Sequence, residues 1–366
     1  MAEENGRARG RQGGRGAGRG DERRRNLAEE AAAHVAEMHD RFGAEIARAV
    51  KDAKFYDSVP KAGAASKPAV KSSVARDSGV QDAAVQEAEV PAAEAPEAAA
   101  PEAAAPAAEA PEAAAPQADL PTVTVVDQDS VAAVIERGRG IASACDLAVL
   151  DFASFTYPGG AYLRGSMAQE EALCAESFLY NALDQFKGWY AENRRRNINC
   201  ELYRDRAFVV PKVRFERERY HSYADVIVAA APNARRARAD YHVDDAALER
   251  AMRGRIRLVL GIADELGHDK LVLGAFGCGV FGWHAGQVAE LFREELAGGS
   301  HVAKTVVFAV PKGSHDENLE RFQHAFAKFP ERNDAPYAPR AAEPVRVAAP
   351  KSDDADEGEE DWRKYL

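Results

Sequence analysis

The chain is poor in cysteine and lacks long apolar runs, and each absence narrows what the protein can be. Its 366 residues include four scattered cysteines, whose spacing fits neither a metal-binding pair nor a disulfide framework. They are Cys145, Cys174, Cys200 and Cys278. Such cysteines are typical of free thiols, so we expect an intracellular protein, cytoplasmic or nuclear. Because the sequence has neither a run of roughly 20 apolar residues nor the apolar segment of a secretory signal, we expect no membrane contact.

Aromatic residues are absent from residues 59–120. The repeat EVPAAEAPEAAAPEAAAPAAEAPEAAAPQ within it consists almost entirely of Ala, Pro and Glu. Such a segment cannot bury a core, so we interpret it as a disordered, extended spacer. One folded domain then remains at residues 121–330, followed by an acidic tail at residues 331–366 that we expect to be disordered.

Charge is distributed unevenly along a chain whose net charge is −11. Residues 1–25 contain the basic stretch RARGRQGGRGAGRGDERRR, whereas the tail contains KSDDADEGEEDW. We expect the N-terminal arm to be disordered. It fits RNA or another polyanion through phosphate contacts, or it is a solubilising tail without a particular partner.

Residues 26–58 have the periodicity of a helix. The apolar side chains Val35, Met38, Phe42, Ile46 and Val50 recur with helical spacing, which predicts one or two amphipathic helices interrupted near Gly43. We expect this accessory segment to dock on the folded domain. The alternative is a marginal helix within a disordered arm.

Strands alternate with helices after residue 121. TVTVV and the apolar run DLAVLDFA predict strands, with a helix capped by Ser130 between them. Later strands are predicted in RAFVVPKV, ADVIVAAAP, KLVLGAF and KTVVFAVP. This alternation indicates an α/β domain with a largely parallel sheet, in which ligands bind beyond the carboxyl ends of the strands. Three strands run into unusual loops, DFASFTYPGGA, VIVAAAPNA and LGAFGCGVFGWH.

The loop LGAFGCGVFGWH is rich in glycine. Its glycines, Gly274, Gly277, Gly279 and Gly282, allow backbone N–H groups to close on an anion, and a helix N-terminus follows. The terminal Lys-Ser/Thr of a P-loop is missing, which argues against ATP hydrolysis by that device. We therefore predict a phosphate or diphosphate site, with a tight turn as the alternative. Spacing alone favours a core position for both flanking phenylalanines, Phe276 and Phe281.

A second candidate lies in PGGAYLRGSMAQEEALC. Gly159 and Gly160 permit another close backbone approach, and Glu170 and Glu171 follow at the predicted start of a helix. A carboxylic acid there could protonate the departing oxygen of a glycosidic bond. The alternative for any isolated glutamate pair is a solvated acidic first turn, which the helix dipole stabilises.

Together these segments resemble a known family. DFASFTYPGGAYLRGSMAQEEALCAESFLY resembles the glycine-rich signature and Gln-Glu-Glu of bacterial-type poly(ADP-ribose) glycohydrolases, and VLGAFGCGVFG resembles their second phosphate loop. VIVAAAPNA and WYAENRR are also similar, and the resemblance spans Thr122 to Phe329. It implies a macrodomain-like three-layer α/β fold with a mixed, largely parallel central sheet and an N-terminal helical accessory segment. It also implies hydrolysis of ribose–ribose O-glycosidic bonds in poly(ADP-ribose), with release of ADP-ribose and without a metal or cofactor.

The resemblance also implies residue roles. Glu171 would protonate the leaving ribose oxygen, and Glu170 would bond the ribose hydroxyls. The implied substrate-binding residues are Asp151, Gly159, Gly160, Ala161, Gln169, Gly277, Cys278, Gly279, Val280 and Phe281. Most would cradle the diphosphate with backbone N–H groups, whereas Gln169 would brace the loop and Phe281 would pack near the ribose. The implied partners are poly(ADP-ribose) and ADP-ribosylated proteins.

The sequence departs from the family pattern at four places. Asp151 and Tyr157 replace asparagines, and Ala161 replaces the third glycine of the signature. Trp283 and His284 replace a polar pair after the second loop. Two rival functions therefore stay open beside hydrolysis: a module that binds ADP-ribose without cleaving it, and an RNA-associated scaffold.

Overall fold

The computed structural model describes residues 17–60, 120–196, 202, 204–314 and 316–339. Most of the predicted N-terminal arm, spacer and acidic tail lies outside these residues.

A mixed seven-stranded sheet runs through the described part of the chain. Its strands are β1 (Lys54–Tyr56), β2 (Thr122–Val126), β3 (Leu147–Phe152), β4 (Ala207–Arg217), β5 (Tyr220–Ala229), β6 (Lys270–Leu273) and β7 (Thr305–Ala309). They lie in the order β1-β4-β5-β3-β6-β7-β2. The pairs β5–β3, β3–β6, β6–β7 and β7–β2 are parallel, whereas β1–β4 and β4–β5 are antiparallel. The prediction of a mixed, largely parallel sheet is confirmed.

Helices cover both faces of this sheet. Among the described residues they are α1 (Ala17–Lys51), α2 (Ser130–Arg137), α3 (Gln169–Ala175), α4 (Leu179–Leu183), α5 (Lys187–Arg196), α6 (Ala234–Tyr241), α7 (Asp245–Leu266), α8 (Ala285–Gly298) and α9 (Asn318–Phe326). Leu147 and Val149 of β3 pack with α1–α5, and Ala148 and Leu150 pack with α6–α9. β3 is therefore covered on both sides, which explains its continuous apolar run. None of the described helices combines the length and the hydropathy that crossing a bilayer requires.

The N-terminal helix docks on the core, as predicted. α1 begins at Ala17, before the predicted start at Asn26, and departs from helical geometry at Phe42 (φ −126°, ψ 21°), beside the predicted break at Gly43. Met38 is buried, and Asn181 of α4 donates a hydrogen bond to the Val35 carbonyl at 2.8 Å. The accessory segment therefore shares the core of the sheet.

Two local predictions need correction. Asp129, rather than Ser130, caps α2, because its carboxylate accepts the Ala132 N–H at 2.9 Å and the chain enters the helix one residue earlier. The helix predicted after Gln169 is broken between α3 and α4. The break coincides with the Ser177 hydroxyl, which donates to the Leu173 carbonyl and accepts the Leu179 N–H.

Candidate active site

Three loops meet at one edge of the sheet. Because β5, β3 and β6 are parallel neighbours, their carboxyl ends lie together, as predicted. We name residues 153–168 after β3 loop 1 and residues 274–284 after β6 loop 2. Phe152 at the end of β3 lies 5.5 Å from Phe276 of loop 2, centroid to centroid. The Arg235 N–H, in the segment after β5, donates to the Phe281 carbonyl of loop 2 at 3.0 Å.

The glutamate pair lies inside this edge. Glu170 and Glu171 occupy the first turn of α3 and are only 3% and 5% exposed. Glu171 Oε1 accepts the Ala161 N–H at 2.9 Å, and Glu170 Oε2 accepts the Ser154 N–H at 2.7 Å. A solvated acidic turn, the alternative interpretation of this doublet, is therefore wrong. Loop 1 holds both carboxyl groups in place.

Gln169 fixes α3 to the sheet. Its side chain accepts the Phe152 N–H at 2.8 Å and donates to the Leu150 carbonyl at 2.9 Å and to the Ser130 hydroxyl at 3.1 Å. The ladder between β3 and β6 ends at Val149, so the carboxamide takes over the backbone groups that β6 leaves without a partner. Gln169 thus braces the strand end beneath loop 1 and the start of α2.

The backbone conformation of loop 1 requires glycine at two adjacent positions. Gly159 and Gly160 have φ of +64° and +58°, in the left-handed region. A Cβ at Gly160 would lie 2.7 Å from Glu171 Oε1 and 3.0 Å from Glu170 Oε2. Ala161, in contrast, has φ −111°, so the third position of the signature accepts alanine without backbone strain.

Most loop 1 N–H groups have acceptors within the protein. The Gly160 N–H donates to the Tyr157 carbonyl at 3.2 Å, and the Ala161 N–H is taken by Glu171. The Gly159 N–H is directed at Glu170 and lowers the pKa of that carboxyl, against the larger effect of burial. Loop 1 therefore organises the two acids in this structure.

Loop 2 presents its backbone differently. The N–H groups of Gly277, Gly279 and Val280 donate to no acceptor among the described residues, whereas the Cys278 N–H donates to the Ala275 carbonyl at 3.1 Å. Gly277 has φ +77°, and Val280 is 62% exposed at the tip. Three donors near the N-terminus of α8 therefore have no protein acceptor within the described part of the chain.

The aromatic residues of loop 2 divide between core and rim. Phe276 is fully buried, as predicted from spacing, and Phe281 is half-buried against the same core. Trp283 is also buried, and its indole N–H donates to the Pro232 carbonyl at 2.7 Å. This departure from the family pattern is a core residue that ties loop 2 to the segment after β5.

Several residues that support the site were not predicted from the sequence. The buried Asn193 of α5 donates to the Phe155 carbonyl of loop 1 at 2.9 Å, and Arg206 in turn bonds Asn193. Arg255 of α7 is fully buried and donates to the carbonyl of Ala230, just after β5. Burial lowers the pKa of Arg255 to about 10. Helical periodicity could have flagged Arg255 as a cation on an apolar face, but nothing in the sequence names its acceptor.

Burial and neighbouring carboxyl groups favour the protonated forms of Asp151 and Glu170. Burial raises the pKa of Asp151 well above its ordinary value, and Glu171 raises it further when that glutamate is ionised. Burial likewise raises the pKa of Glu170, with added contributions from Asp151 and Glu171. Asp151, which the resemblance places among the substrate-binding residues, is completely buried.

These shifts predict a pH-dependent stability. Below about pH 3 both carboxyls are protonated in the folded and unfolded chain. As the pH rises, the unfolded chain releases its protons first, so each raised carboxyl lowers the free energy of unfolding by about 1.4 kcal/mol per pH unit until its folded-state pKa is reached. In urea unfolding between pH 5 and pH 8, Glu170→Gln should therefore lose less stability with rising pH than the native chain. Parallel pH curves for the two proteins would contradict this account.

A second polar cluster lies at the opposite edge of the sheet. His268 Nε2 lies 2.9 Å from Asp225 Oδ2, and the Lys212 N–H donates to Asp225 Oδ1 at 2.7 Å. The Cys145 thiol lies 3.8 Å from the same oxygen. Hydrogen bonds within the protein thus account for this buried aspartate.

Comparison with known proteins identifies the family. The model for the microbial-type PARG (poly(ADP-ribose) glycohydrolase) catalytic domain matches residues 31–218, just over half of the chain, including loop 1 and α3. No curated protein matches the sequence.

Solved structures agree with this match. The poly(ADP-ribose) glycohydrolase of Thermomonospora curvata bound to the inhibitor ADP-HPD has a TM-score of 0.59 and 26% identity, covering 83% of this chain and 99% of that chain. The enzyme of Deinococcus radiodurans in complex with ADP-ribose has a TM-score of 0.50 and 34% identity, covering 55% of this chain and 82% of that chain. The fold, the glutamate pair and the family match lead to one conclusion: this chain belongs to the microbial-type PARG catalytic domain family.

Proposed function

We propose that the protein hydrolyses the ribose–ribose O-glycosidic bonds of poly(ADP-ribose) and releases ADP-ribose. The observation that carries this proposal is the buried pair Glu170 and Glu171, held by loop 1 at the sheet edge where loop 2 presents its N–H groups. Family membership supports it, and both solved relatives are poly(ADP-ribose) glycohydrolases.

Glu171 is the general acid in this mechanism. Its Oε1 accepts the Ala161 N–H, so the carboxyl orientation is fixed and Oε2 can carry the proton. As the glycosidic bond breaks, that proton passes to the leaving ribose oxygen and an oxocarbenium-like sugar forms. A water molecule then attacks the anomeric carbon, and its proton returns to the Glu171 carboxylate.

The neighbouring groups bind the substrate. Glu170 accepts hydrogen bonds from ribose hydroxyls, and the N–H groups of Gly277, Gly279 and Val280 hold the diphosphate near the N-terminus of α8. Phe281 packs near the ribose. The N–H groups of loop 1 now donate to the Tyr157 carbonyl and to the glutamates. They would have to leave these acceptors before they could bind the diphosphate.

A binding module without hydrolysis is the second candidate, because the bulky Tyr157 of loop 1 stands where the family pattern has an asparagine. The guanidinium groups of Arg164 and Arg194 lie 5.8 and 5.0 Å from the centre of its ring. Incubation with labelled poly(ADP-ribose) and separation of the products decides between the candidates. Released ADP-ribose supports hydrolysis, whereas intact polymer at high protein concentration, with tight ADP-ribose binding in calorimetry, would overturn it.

Loop 2 offers a test of diphosphate binding that leaves the fold alone. A Cβ at Gly279 would meet no atom of the described residues within 4 Å, so Gly279→Ala should keep its melting temperature. The added methyl group would hold the diphosphate away from the backbone, and we expect the Kd for ADP-ribose to rise by about tenfold, equivalent to ~1.4 kcal/mol. Gly188→Ala in α5 is the matched control, because its added Cβ also meets nothing within 4 Å in the described part of the chain. Equal affinity of all three proteins in calorimetry would remove loop 2 from the site.

The RNA contact remains a separate proposal. It depends on the N-terminal arm, of which residues 1–16 lie outside the described part of the chain. Salt-sensitive RNA binding that is lost on deletion of residues 1–25 would support it.

A further inference from the structure

Asp151 is buried behind Glu170 and Glu171. It pairs with Val228 in the sheet, and its side chain is on the same face of β3 as Val149, the face that α1–α5 cover. Gln169 bonds the backbone on either side of it, at Leu150 and Phe152, which brings the first turn of α3 over this position. The Asp151 side chain has no exposed surface.

Within the described part of the chain, no group compensates a negative charge on Asp151. Both carboxyl oxygens of Asp151 lack a hydrogen-bond partner among the described residues, and so do the buried atoms Glu170 Oε1 and Tyr190 OH. The titratable groups that face Asp151 are Glu170, Glu171 and Cys174 of α3 and Tyr190 of α5. None of these four brings a positive charge.

An unpaired carboxylate in such surroundings is strongly disfavoured relative to the neutral acid. It would lose its hydration without gaining a hydrogen bond or a counter-ion, and it would face the charge of a neighbouring glutamate. A neutral carboxyl group loses much less hydration free energy on burial, and it does not repel the glutamate. It also avoids placing negative charge close to an anionic substrate, whose diphosphate would be repelled across a medium of low dielectric constant.

We propose that Asp151 keeps its proton at neutral pH and that this neutral carboxyl group is a positioning residue, filling the interior behind Glu170 and Glu171 without repelling the substrate. The positioning role rests on the proposed function, whereas the protonation state does not. The burial of Asp151, its missing partners and the surrounding acids carry the inference together.

Spectroscopy of the full chain tests the protonation state directly. With ¹³C-labelled aspartate, the native protein at pH 7 should show the carboxyl signal of one neutral acid in NMR or infrared spectra. Asp151→Asn should remove that signal. The control Asp245→Asn, at an exposed side chain that pairs with Arg238, should leave it in place. Absence of a neutral aspartic acid signal in the native protein at pH 7 would overturn the proposal, even if the Asp151 variant fails to fold.

ADP-ribose binding tests the positioning role. Asp151→Asn cannot ionise, so its Kd should stay within about threefold of the native value at pH 7 and change little at higher pH. The native Kd should rise by roughly tenfold or more at the pH where the neutral acid signal disappears, because a buried charge then opposes the diphosphate. A role in packing alone would not produce this difference in pH dependence.

Much tighter binding by the Asp151 variant would contradict the proposal. Binding of ADP-ribose to Asp151→Asn more than about tenfold tighter at pH 7 would mean that the native aspartate is already charged, and would overturn the proposal. Failure of the native protein to cleave poly(ADP-ribose) would instead count against the proposed hydrolysis, because the spectra and the calorimetry do not depend on turnover.

Discussion

Replacing Glu171 with glutamine should reduce the release of ADP-ribose from poly(ADP-ribose) by about 10²–10⁴-fold, because a general acid commonly contributes that much. Glutamine has the same shape, and its carbonyl can still accept the Ala161 N–H that now bonds Glu171 Oε1 at 2.9 Å. It has no acidic proton to give to the leaving ribose oxygen. The expected signature is a fall in kcat with ADP-ribose affinity changed only a few fold.

The matched control is Glu249→Gln. Glu249 lies on α7, where it forms an ion pair with Arg253 at 3.3 Å, and the exchange removes the same charge from a surface position. Its kcat should equal that of the native protein. Undiminished release of ADP-ribose by the Glu171 variant, with both proteins folded, would mean that another group supplies the proton.

Gly160→Ala is the second change with a large expected effect. Its Cβ would lie 2.7 Å from Glu171 Oε1 and 3.0 Å from Glu170 Oε2, in a backbone conformation with φ +58° that alanine resists. Both carboxyl groups must therefore move, or loop 1 must rearrange. We expect kcat to fall by about 10²-fold or more, because misplacement of about 1 Å already costs that much. The strained residue should also lower the free energy of unfolding by about 1–3 kcal/mol.

Gly188→Ala serves as the control for this loss too. Gly188 lies within α5, and an added Cβ meets none of the described residues within 4 Å, so alanine should be neutral or slightly stabilising there. Near-UV circular dichroism and urea unfolding give the folded fraction, against which kcat is normalised. Native turnover per folded molecule in the Gly160 variant would show that the position of the two carboxyl groups is not critical.

Much of the fold could be predicted because its signals are local. β2 and β3 have apolar, β-branched runs of strand length, and the 22 residues of α7 follow Asp244, whose carboxylate caps the helix as a sequence pattern would suggest. Parallel neighbours place their carboxyl ends at one edge, which brought both glycine loops together. The three-residue strand β1 could not be found this way, since its pairing with β4 is a contact between residues about 150 positions apart.

The sequence predicted which residues form the site, but it did not predict most of their hydrogen bonds. The doublet at the start of α3 and the glycine turns were visible as motifs, but the burial of Glu170 depends on how α3 packs against β3. Ala161 stands where the family signature has a glycine, yet its φ of −111° suits any residue. The acceptor that each N–H meets depends on side chains far away in sequence, and spacing carries no information on them.

The short strand β1 has a consequence for self-association. It pairs antiparallel with Val209, Phe208 and Ala207 of β4 and thereby occupies the outer side of the sheet. A recombinant protein that begins at Pro121 would expose these backbone groups, together with the core surface that Met38 covers. Open strand edges recruit the edges of other molecules, so such a shortened protein would be prone to form dimers or larger aggregates.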